Sequence, residues 1–391
     1  MSRTFPAAAM SAGLAALLAI GCSDNSSENP ANTPDPSMAD VEVEASHGSN
    51  PPTLTPQQSG TTNRLQAVSP VDSRVVWASG VGGTYVLTTD GGATWKAGVV
   101  PGAEALQFRD VEGISEKVAY LLAAGVGSDS RIYKTEDGGA TWALQFQAED
   151  PAAFYDCFAF WSRNRGLTFG DAINGVFPVL STTNGRTWEN IGDRMPPAQA
   201  GEAAFAASGT CIATQGEQSA WVVTGGAPKA RVLATTDGGR SWNAYDTPIV
   251  QGTPASGGFS IAFRDSQRGM LVGGDLENDG TTENTATSRD GGKTWTLASP
   301  TPFPGAAFGM AYVDDAAPGH SGLHGSGRGH GHRHGDRSVV ATGPGGAAYS
   351  HDEGGTWTLI PDVTGYWAVA FAGCETGWFV GTGGRILKIE F

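Results

Sequence analysis

The side chains best suited to chemistry are four acids and a tyrosine in the middle of the chain. Tyr155 and Asp156 are adjacent, Asp171 follows an apolar stretch, and Glu202 and Asp275 occur further along. Carboxylates that meet in one pocket can bind a polar ligand, or can act as a general acid and a general base. The same groups can also simply cap loops by accepting backbone hydrogen bonds. We therefore treat these five residues as candidate ligand- or partner-binding residues and predict no catalytic residue.

Histidines are concentrated in one Gly/His-rich segment, residues 319–336. Imidazoles at this density, among them His330, His332 and His334, can bind zinc, nickel or copper. A low-complexity segment has no fixed geometry, however, so these three are only weak candidate ligands. We predict no dedicated metal site.

One short pattern occurs six times and indicates how the chain is organised. The copy at Thr88–Trp95 reads TTDGGATW, and copies recur about every 50 residues, a period typical of β-propeller blades. The third position is an acid in five copies: Asp90, Asp137, Asp237, Asp290 and Asp352. In the remaining copy, counting back from Trp188 places Thr183 there. A carboxylate at this position can accept backbone N–H groups in a tight turn, so we predict a structural role.

This pattern resembles the Asp-box (BNR) repeat of the sialidase-like propellers. The whole unit is more similar to the photosystem II assembly and stability factor family, in which an inner strand and a Gly-Trp strand precede a Gly-Gly turn. In this sequence those parts are Val369–Phe371, Gly377–Gly381 and Gly383–Leu387. The resemblance covers residues 60–391. It implies an all-β propeller, carries no implication of photosynthesis, and says little about activity.

Counting the units predicts a seven-bladed propeller with four antiparallel strands in each blade; six blades are the alternative. The stretch Trp367–Phe391 is a seventh copy that lacks the outermost strand. We expect Thr55–Thr62 to supply that strand, so that an N-terminal strand closes the ring. In blade one the strands are expected at residues 65–71, 75–79, 84–88 and 95–99. Residues 319–336 then form an insertion between the two inner strands of blade six.

The turns of such blades alternate between two faces, because successive strands are antiparallel. With strands A to D counted outwards from the axis, the A–B and C–D turns, including every Asp-box, share what we call the turn face. The B–C and D–A loops share the loop face. These loops are longer and place Asp156, Asp171 and Glu202 near the channel mouth. We therefore expect binding on the loop face.

Cys157 and Cys211 both stand near the start of an A strand, in adjacent blades. Equivalent positions in neighbouring blades can approach closely around the axis, and export permits disulfides. We predict that these two cysteines are bonded. A catalytic cysteine would need a base beside it, and neither has a histidine nearby in the sequence.

The first 22 residues resemble a lipoprotein signal peptide. The apolar run Ala7–Ile20 is too short to span a membrane, and small residues precede Cys22 as in the bacterial lipobox. We predict lipidation of Cys22 and anchoring in the outer membrane, facing the periplasm or the cell surface. Residues 23–54 are polar and acidic and are expected to be a disordered linker. The propeller is then residues 55–391.

The predicted function is that of a non-catalytic, monomeric binding or assembly propeller that holds a protein or a glycan of the cell envelope. The net charge of −15 argues against nucleic acid as a partner. A sialidase-like glycoside hydrolase is the alternative. It would need a cluster of arginines, and Arg131, Arg231 and Arg385 begin C strands of separate blades, where they should not converge. An oxidoreductase is a second alternative, but no nucleotide fingerprint supports it and no cofactor is predicted.

Overall fold

The computed structural model describes residues 51–313, 337–373 and 376–391. Within them, 28 β-strands form seven four-stranded antiparallel sheets, interrupted by three short 3-10 turns. The prediction of an all-β, seven-bladed propeller is confirmed, and the six-bladed alternative is wrong. The described part has no helix long and apolar enough to cross a membrane. Cys22 and the histidine-rich segment 319–336 fall outside the described residues.

Six of the sheets each consist of four consecutive strands. Blade one contains β2 (Leu65–Pro70), β3 (Val76–Gly80), β4 (Thr84–Thr88) and β5 (Lys96–Val99); blade two contains β6 (Phe108–Gly113), β7 (Ala119–Ala123), β8 (Arg131–Thr135) and β9 (Ala143–Gln147). Blade three contains β10 (Tyr155–Ser162), β11 (Arg165–Gly170), β12 (Val179–Thr182) and β13 (Glu189–Asn190); blade four contains β14 (Ile212–Gln215), β15 (Ser219–Val223), β16 (Arg231–Thr235) and β17 (Asn243–Asp246). Blade five contains β18 (Ser256–Phe263), β19 (Gly269–Asp275), β20 (Thr285–Ser288) and β21 (Thr296–Leu297); blade six contains β22 (Gly309–Tyr312), β23 (Val339–Gly343), β24 (Gly346–Ser350) and β25 (Thr358–Leu359). The strands predicted for blade one agree to within about one residue at each end.

Blade seven is built from both ends of the described chain. It contains β26 (Tyr366–Phe371), β27 (Thr376–Gly381), β28 (Arg385–Glu390) and, outermost, β1 (Thr53–Gln58). The pairing of β1 with β28 is antiparallel and complete, so the ring has no free joint between its first and last blades. The predicted closing strand is therefore confirmed, but it begins at Thr53, just inside the predicted linker. It ends at Gln58 because Ser59 Oγ then accepts the Thr61 N–H and turns the chain.

Five copies of the Asp-box form the C–D turn of their blade through hydrogen bonds to one carboxylate. In blade one, Asp90 Oδ1 accepts the Thr94 N–H (2.9 Å) and the Thr88 hydroxyl (2.8 Å). The Gly92 N–H donates to Thr88 Oγ1 (2.9 Å), at a φ of +89° that favours glycine. Hydrogen bonds from the Thr94 hydroxyl and N–H and from Thr88 hold the pKa of Asp90 at about 2. Equivalent bonds occur at the other four acids of the repeat.

The third copy of the turn is one residue shorter, which corrects the predicted alignment. Asn184, not Thr183, takes the place of the carboxylate: its Oδ1 accepts the Thr187 N–H (3.0 Å) and its Nδ2 donates to Thr187 Oγ1 (2.9 Å). The Gly185 N–H bonds to Thr182 Oγ1 as in the other copies. Because one residue is missing inside this copy, counting back from the closing tryptophan gives a position that is one residue too early. The amide of Asn184 can replace a carboxylate as the acceptor.

Closing tryptophans of the repeat lie between blades. Trp142 of blade two packs edge-on against Trp77 and Tyr85 of blade one, with ring centroids 6.1 and 5.0 Å apart. Trp95 of blade one donates its indole N–H to Gln57 of blade seven (3.0 Å). The large rings fill the wedge between adjacent sheets, and the N–H of Trp95 also joins two blades by a hydrogen bond.

Candidate functional site

The seven A strands surround a central channel, and β26 lies beside β2 to complete the circle. The inner edge of an A strand has no further strand to pair with, so its backbone groups need other partners. Three side-chain bonds between neighbouring blades supply them: Gly113 N–H to Ser69 Oγ (3.0 Å), Phe158 N–H to Asp110 Oδ2 (2.8 Å) and Met310 N–H to Ser260 Oγ (3.0 Å). These bonds join blades one and two, two and three, and five and six at the channel wall.

Residues 203–210 of the connection into blade four cross this channel, and we call them the plug. Gly209 reaches the opposite wall, where it lies against Asp110 of blade two and Ala67 of blade one; a methyl group added to it would be 3.3 Å from Ala67 Cβ. Its φ of +77° is in the left-handed region. Only glycine combines this backbone angle with so close an approach.

Side chains of the plug bind the blades on its other side. The Ser208 hydroxyl donates to the Phe308 carbonyl before blade six (2.7 Å), and the Thr210 hydroxyl donates to Ser260 Oγ of blade five (2.7 Å). Together with the contacts of Gly209, these bonds span the channel from wall to wall. The plug therefore blocks the channel at its loop-face end.

Asp156 and Asp171, two of the predicted site residues, hold the plug. Their buried carboxyl groups interact with each other and with the backbone of Ala206 and Ala204 in the plug. Asp156 Oδ2 and Asp171 Oδ1 have no hydrogen-bond partner among the described residues. Burial and the adjacent Asp171 raise the pKa of Asp156 well above its usual range, and the positive charge of Arg109 only partly opposes this. Burial raises the pKa of Asp171 to about 6, against the effect of its hydrogen bonds.

Glu202 is fully buried and paired within its own blade. The guanidinium of Arg231 makes a bidentate bond to it, with Nε–Oε1 at 2.8 Å and Nη2–Oε2 at 2.5 Å. The Thr224 hydroxyl and the Gln199 N–H also donate to this carboxylate. The bonds from Thr224 and Arg231 tie the loop that precedes the plug to strands B and C, so Glu202 fixes the loop that carries the plug.

Tyr155 and Asp275 make their side-chain contacts with residues other than the acid pair Asp156 and Asp171. The Tyr155 ring is buried against Phe146 of blade two, with centroids 5.4 Å apart, and burial together with the charge of Asp150 raises its pKa to about 12. Asp275 Oδ1 accepts the Glu277 N–H (2.9 Å) in a B–C loop of blade five. Of the five predicted residues, the structure therefore brings Asp156 and Asp171 into one cluster.

The three arginines that begin C strands each bind their own blade. Arg131 Nε donates to the Ser128 carbonyl (2.6 Å), and Arg385 Nη2 donates to the Thr364 carbonyl (3.0 Å). Arg231 binds Glu202, as described above. Their guanidinium groups are used to fix separate loops and do not form a shared carboxylate-binding cluster.

Cys157 and Cys211 form a disulfide between β10 and the residue before β14, with the Cα atoms 6.1 Å apart. Both residues are completely buried. Cys211 directly follows the plug, so the bond fastens the end of the plug to blade three. This adds a covalent fixation to the hydrogen bonds that hold residues 203–210 in the channel.

Between the plug and the A–B turns lies a cavity of about 440 Å³, bounded by residues of all seven blades. Ser208 and Gly209 form part of its closed end. The aromatic residues Trp161, Phe263 and Phe371 are among those that line it. The lining continues to the A–B turns, so in the part of the chain that the structure describes the cavity opens towards the turn face, opposite to the face on which we expected binding.

Two buried acids, Asp110 and Glu112, also line this cavity. Asp110 Oδ1 and Oδ2 accept the N–H groups of Val111 (2.7 Å) and Phe158 (2.8 Å). Burial raises the pKa of Asp110 well above its usual range despite these bonds. Burial, together with the charge of Asp110, likewise raises the pKa of Glu112. Strongly perturbed carboxyl groups in a cavity are typical of binding sites.

Sequence reasoning missed these two acids because they lie inside a strand that repeats in every blade. A signal was present: the corresponding parts of the other A strands are apolar or carry small polar residues such as Ser69 and Ser260. A pair of acids at alternate positions of one A strand, Asp110 and Glu112, breaks that pattern. Alternation along a strand places both side chains on the same face.

Comparison with known proteins defines the class of this chain as a seven-bladed propeller. No protein-family model and no curated protein matches the sequence. Among solved structures, the chain is similar to YCF48 bound to a D1 peptide, with 15% identity, coverage of 88% of this chain and 96% of that chain, and a TM-score of 0.59.

It is also similar to YCF48 from Cyanidioschyzon merolae, with 16% identity, coverage of 86% and 98%, and a TM-score of 0.58. The WD40 propeller domain of Doa1 shows 10% identity, coverage of 86% and 97%, and a TM-score of 0.51. At these identities the similarity establishes the fold. The resemblance to the photosystem II assembly factor family, inferred from the repeat, is confirmed at that level.

Proposed function

We propose that this chain is a non-catalytic binding propeller that holds a segment of a partner protein at the cavity mouth on the turn face. The observation that carries the proposal is the plugged channel. All seven blades bound a cavity of about 440 Å³, closed at one end, with aromatic rings and two buried acids in its wall. A concave, largely apolar site with a few polar groups is the usual form of a ligand pocket.

The similar structure of YCF48 bound to a D1 peptide supports a peptide as the type of ligand, because it shows that a propeller of this architecture can hold one. The internal bonding of Asp156, Asp171 and Glu202 moves our expectation from the loop face to the turn face. Arg231 occupies the carboxylate of Glu202, and Asp156 and Asp171 are buried beside the plug, which gives all three a role in holding the scaffold.

Anchoring in the cell envelope through a lipidated Cys22 is part of the proposal and is supported by the lipobox-like sequence alone. Two or more acyl chains would give stable anchoring. Cys22→Ser should release soluble protein, and membrane fractionation with intact-mass measurement would check it. Unchanged fractionation and mass would remove this part of the proposal and leave the binding function untouched.

The binding function is tested by filling the mouth of the cavity. Gln215 is half-buried at the end of β14 and lines the cavity, so Gln215→Trp should block it. Val126 is exposed in a B–C loop of the opposite face, and Val126→Trp is the matched control. Capture from envelope extracts, with the captured proteins identified by mass spectrometry, should lose the partner with Gln215→Trp and keep it with Val126→Trp. The reverse pattern would return the function to the loop face.

A panel of glycosides, incubated with the wild-type protein, tests the remaining alternatives. We expect no turnover. Hydrolysis that is abolished by Asp110→Asn or Glu112→Gln in a folded protein would replace the proposal with glycoside hydrolysis. Binding of an intact glycan that is lost with Gln215→Trp would keep the site and change the class of partner.

A further inference from the structure

Glu112 is an acid buried in the cavity wall whose carboxyl group is not satisfied by the protein. Its side chain is 7% exposed, and its Oε1 atom has no hydrogen-bond partner among the described residues. Asp110, two positions earlier on the same strand, has an N–H donor for each oxygen. A buried carboxyl without a partner is costly, so a group that binds there can recover that cost.

Among the described residues, the charged groups that line the cavity are Asp110, Glu112 and Arg264. Arg264 already has a counter-ion, because its Nε lies 2.8 Å from Glu353 Oε1. The lining therefore has an excess of carboxyl groups. The rest of the wall is largely apolar, which suits the methylene chain of a basic side chain.

We propose that the cavity binds an organic cation on an apolar stem, the ammonium or guanidinium end of a basic side chain in the partner segment, with Glu112 as its counter-ion. This inference rests on the proposed function and supplies the chemistry by which a partner is recognised. Asp110 accepts a backbone N–H of the neighbouring strand, so Glu112 is the acid that remains to pair with the ligand.

At a pH where Glu112 is protonated in the free protein, a proton leaves the site when the cation binds. Burial and the charge of Asp110 raise the pKa of Glu112 in the free protein, and a bound cation lowers that pKa again. Affinity should therefore increase as the pH rises through the raised pKa of Glu112. The measured heat of binding should depend on the ionisation enthalpy of the buffer, because a proton is released.

The probes for the test are Nα-acetyl-lysine methylamide and Nα-acetyl-norleucine methylamide, which differ in the ammonium group. Calorimetry with the full chain should show at least about tenfold tighter binding of the lysine compound. Glu112→Gln should remove that difference and the buffer dependence. Glu116→Gln, an equal charge change at an exposed position of the same blade, should preserve both. Butylammonium should bind more weakly than the lysine compound if a protein segment is the source of the cation.

Equal affinity for the two probes would overturn the proposal, as would tight lysine binding that survives Glu112→Gln. If Glu112→Gln does not fold, the comparison of the probes on wild-type protein still decides. Capture of the same partner protein by wild type and Glu112→Gln would reject Glu112 and leave the proposed function standing. If the lysine probe binds through Glu112 but capture finds no partner that depends on the cavity mouth, the proposed function is rejected and the cation site stands.

Discussion

Two sets of carboxylates in this propeller have opposite environments. The Asp-box acids, such as Asp90, lie at exposed turns and accept hydrogen bonds from their own turn, which hold the pKa of Asp90 at about 2. Asp156 and Asp171 are buried beside the plug, and burial raises the pKa of Asp171 to about 6. Hydrogen bonds to a charged group favour its charged form, whereas burial favours the neutral one.

The two sets of acids belong to different parts of the fold. The Asp-box acids form a turn that recurs from blade to blade, whereas Asp156 and Asp171 hold a segment that occurs once. An Asp-box makes one C–D turn, and it recurs because each blade must make that turn. The plug, residues 203–210, occurs in one blade and closes a channel that all seven share. Its fixation by a disulfide, an acid pair and a glycine has no counterpart in the other described blades. The cavity therefore owes its closed end to the part of the chain that departs from the repeat.

The largest effect should follow from cutting the disulfide that fastens the plug. Cys157 and Cys211 are separated by 54 positions, for which the chain-entropy model gives about 4 kcal/mol of stabilisation. The double variant Cys157→Ala/Cys211→Ala should lose about that much in denaturant unfolding, and reduced wild-type protein should behave like it. Peptide mapping without reduction must find the linked pair; two free thiols would contradict the assignment.

A methyl group on the plug should cost almost as much. Gly209→Ala combines a positive φ with a collision against Asp110, so a loss of about 2–4 kcal/mol is expected. Gly216 has a similar φ of +57° but nothing within 4 Å of an added methyl, and Gly216→Ala should cost only about 1 kcal/mol. Equal losses in chemical denaturation would mean that the plug does not press against the opposite wall.

The pH dependence of stability should distinguish the two sets of acids. A raised folded-state pKa means that the stability from Asp171 is complete near pH 4 and is lost as the pH rises through about 6. That loss amounts to about 2–3 kcal/mol between pH 4 and pH 8. Asp171→Asn should flatten this part of the curve. For Asp90 the sign is opposite: its contribution is present above pH 4 and is lost as the pH falls towards 2. A variant curve parallel to that of wild type would show that the acid pair is not linked to folding.

Sequence reasoning reached those parts of the molecule that repeat. The period of the repeat predicted the blades, and the incomplete last unit predicted the closing strand. Matched positions in adjacent blades predicted the disulfide between Cys157 and Cys211. It did not reach the plug, because a single-copy connection has no second copy to compare with and its path depends on contacts with distant blades. Glu112 escaped for a related reason, since alternation within a strand shows which residues share a face but not what that face meets.

The shorter turn at Asn184 supplies the smallest and most specific prediction. Slight burial raises the pKa of Asp237, but bonds from the Ser241 hydroxyl and N–H, and from Thr235, outweigh it and lower the pKa to about 2. Asp237→Ala removes these acceptors and should lower the melting temperature by about 2–4 °C. Asp237→Asn should be nearly neutral at pH 7, because an amide oxygen still accepts the Ser241 N–H and the amide N–H₂ can donate to the Ser241 hydroxyl.

Asn184 and Thr187 already show that arrangement in blade three. Below pH 4, where wild-type protein begins to lose the contribution of the ionised Asp237, the Asn variant should melt at or above the wild-type temperature. Neither variant should change binding at the cavity, because Asp237 lies in an outer C–D turn. An Asn variant as unstable as the Ala variant would mean that the negative charge, rather than the acceptor geometry, holds the turn, and Asn184 would then need a different explanation.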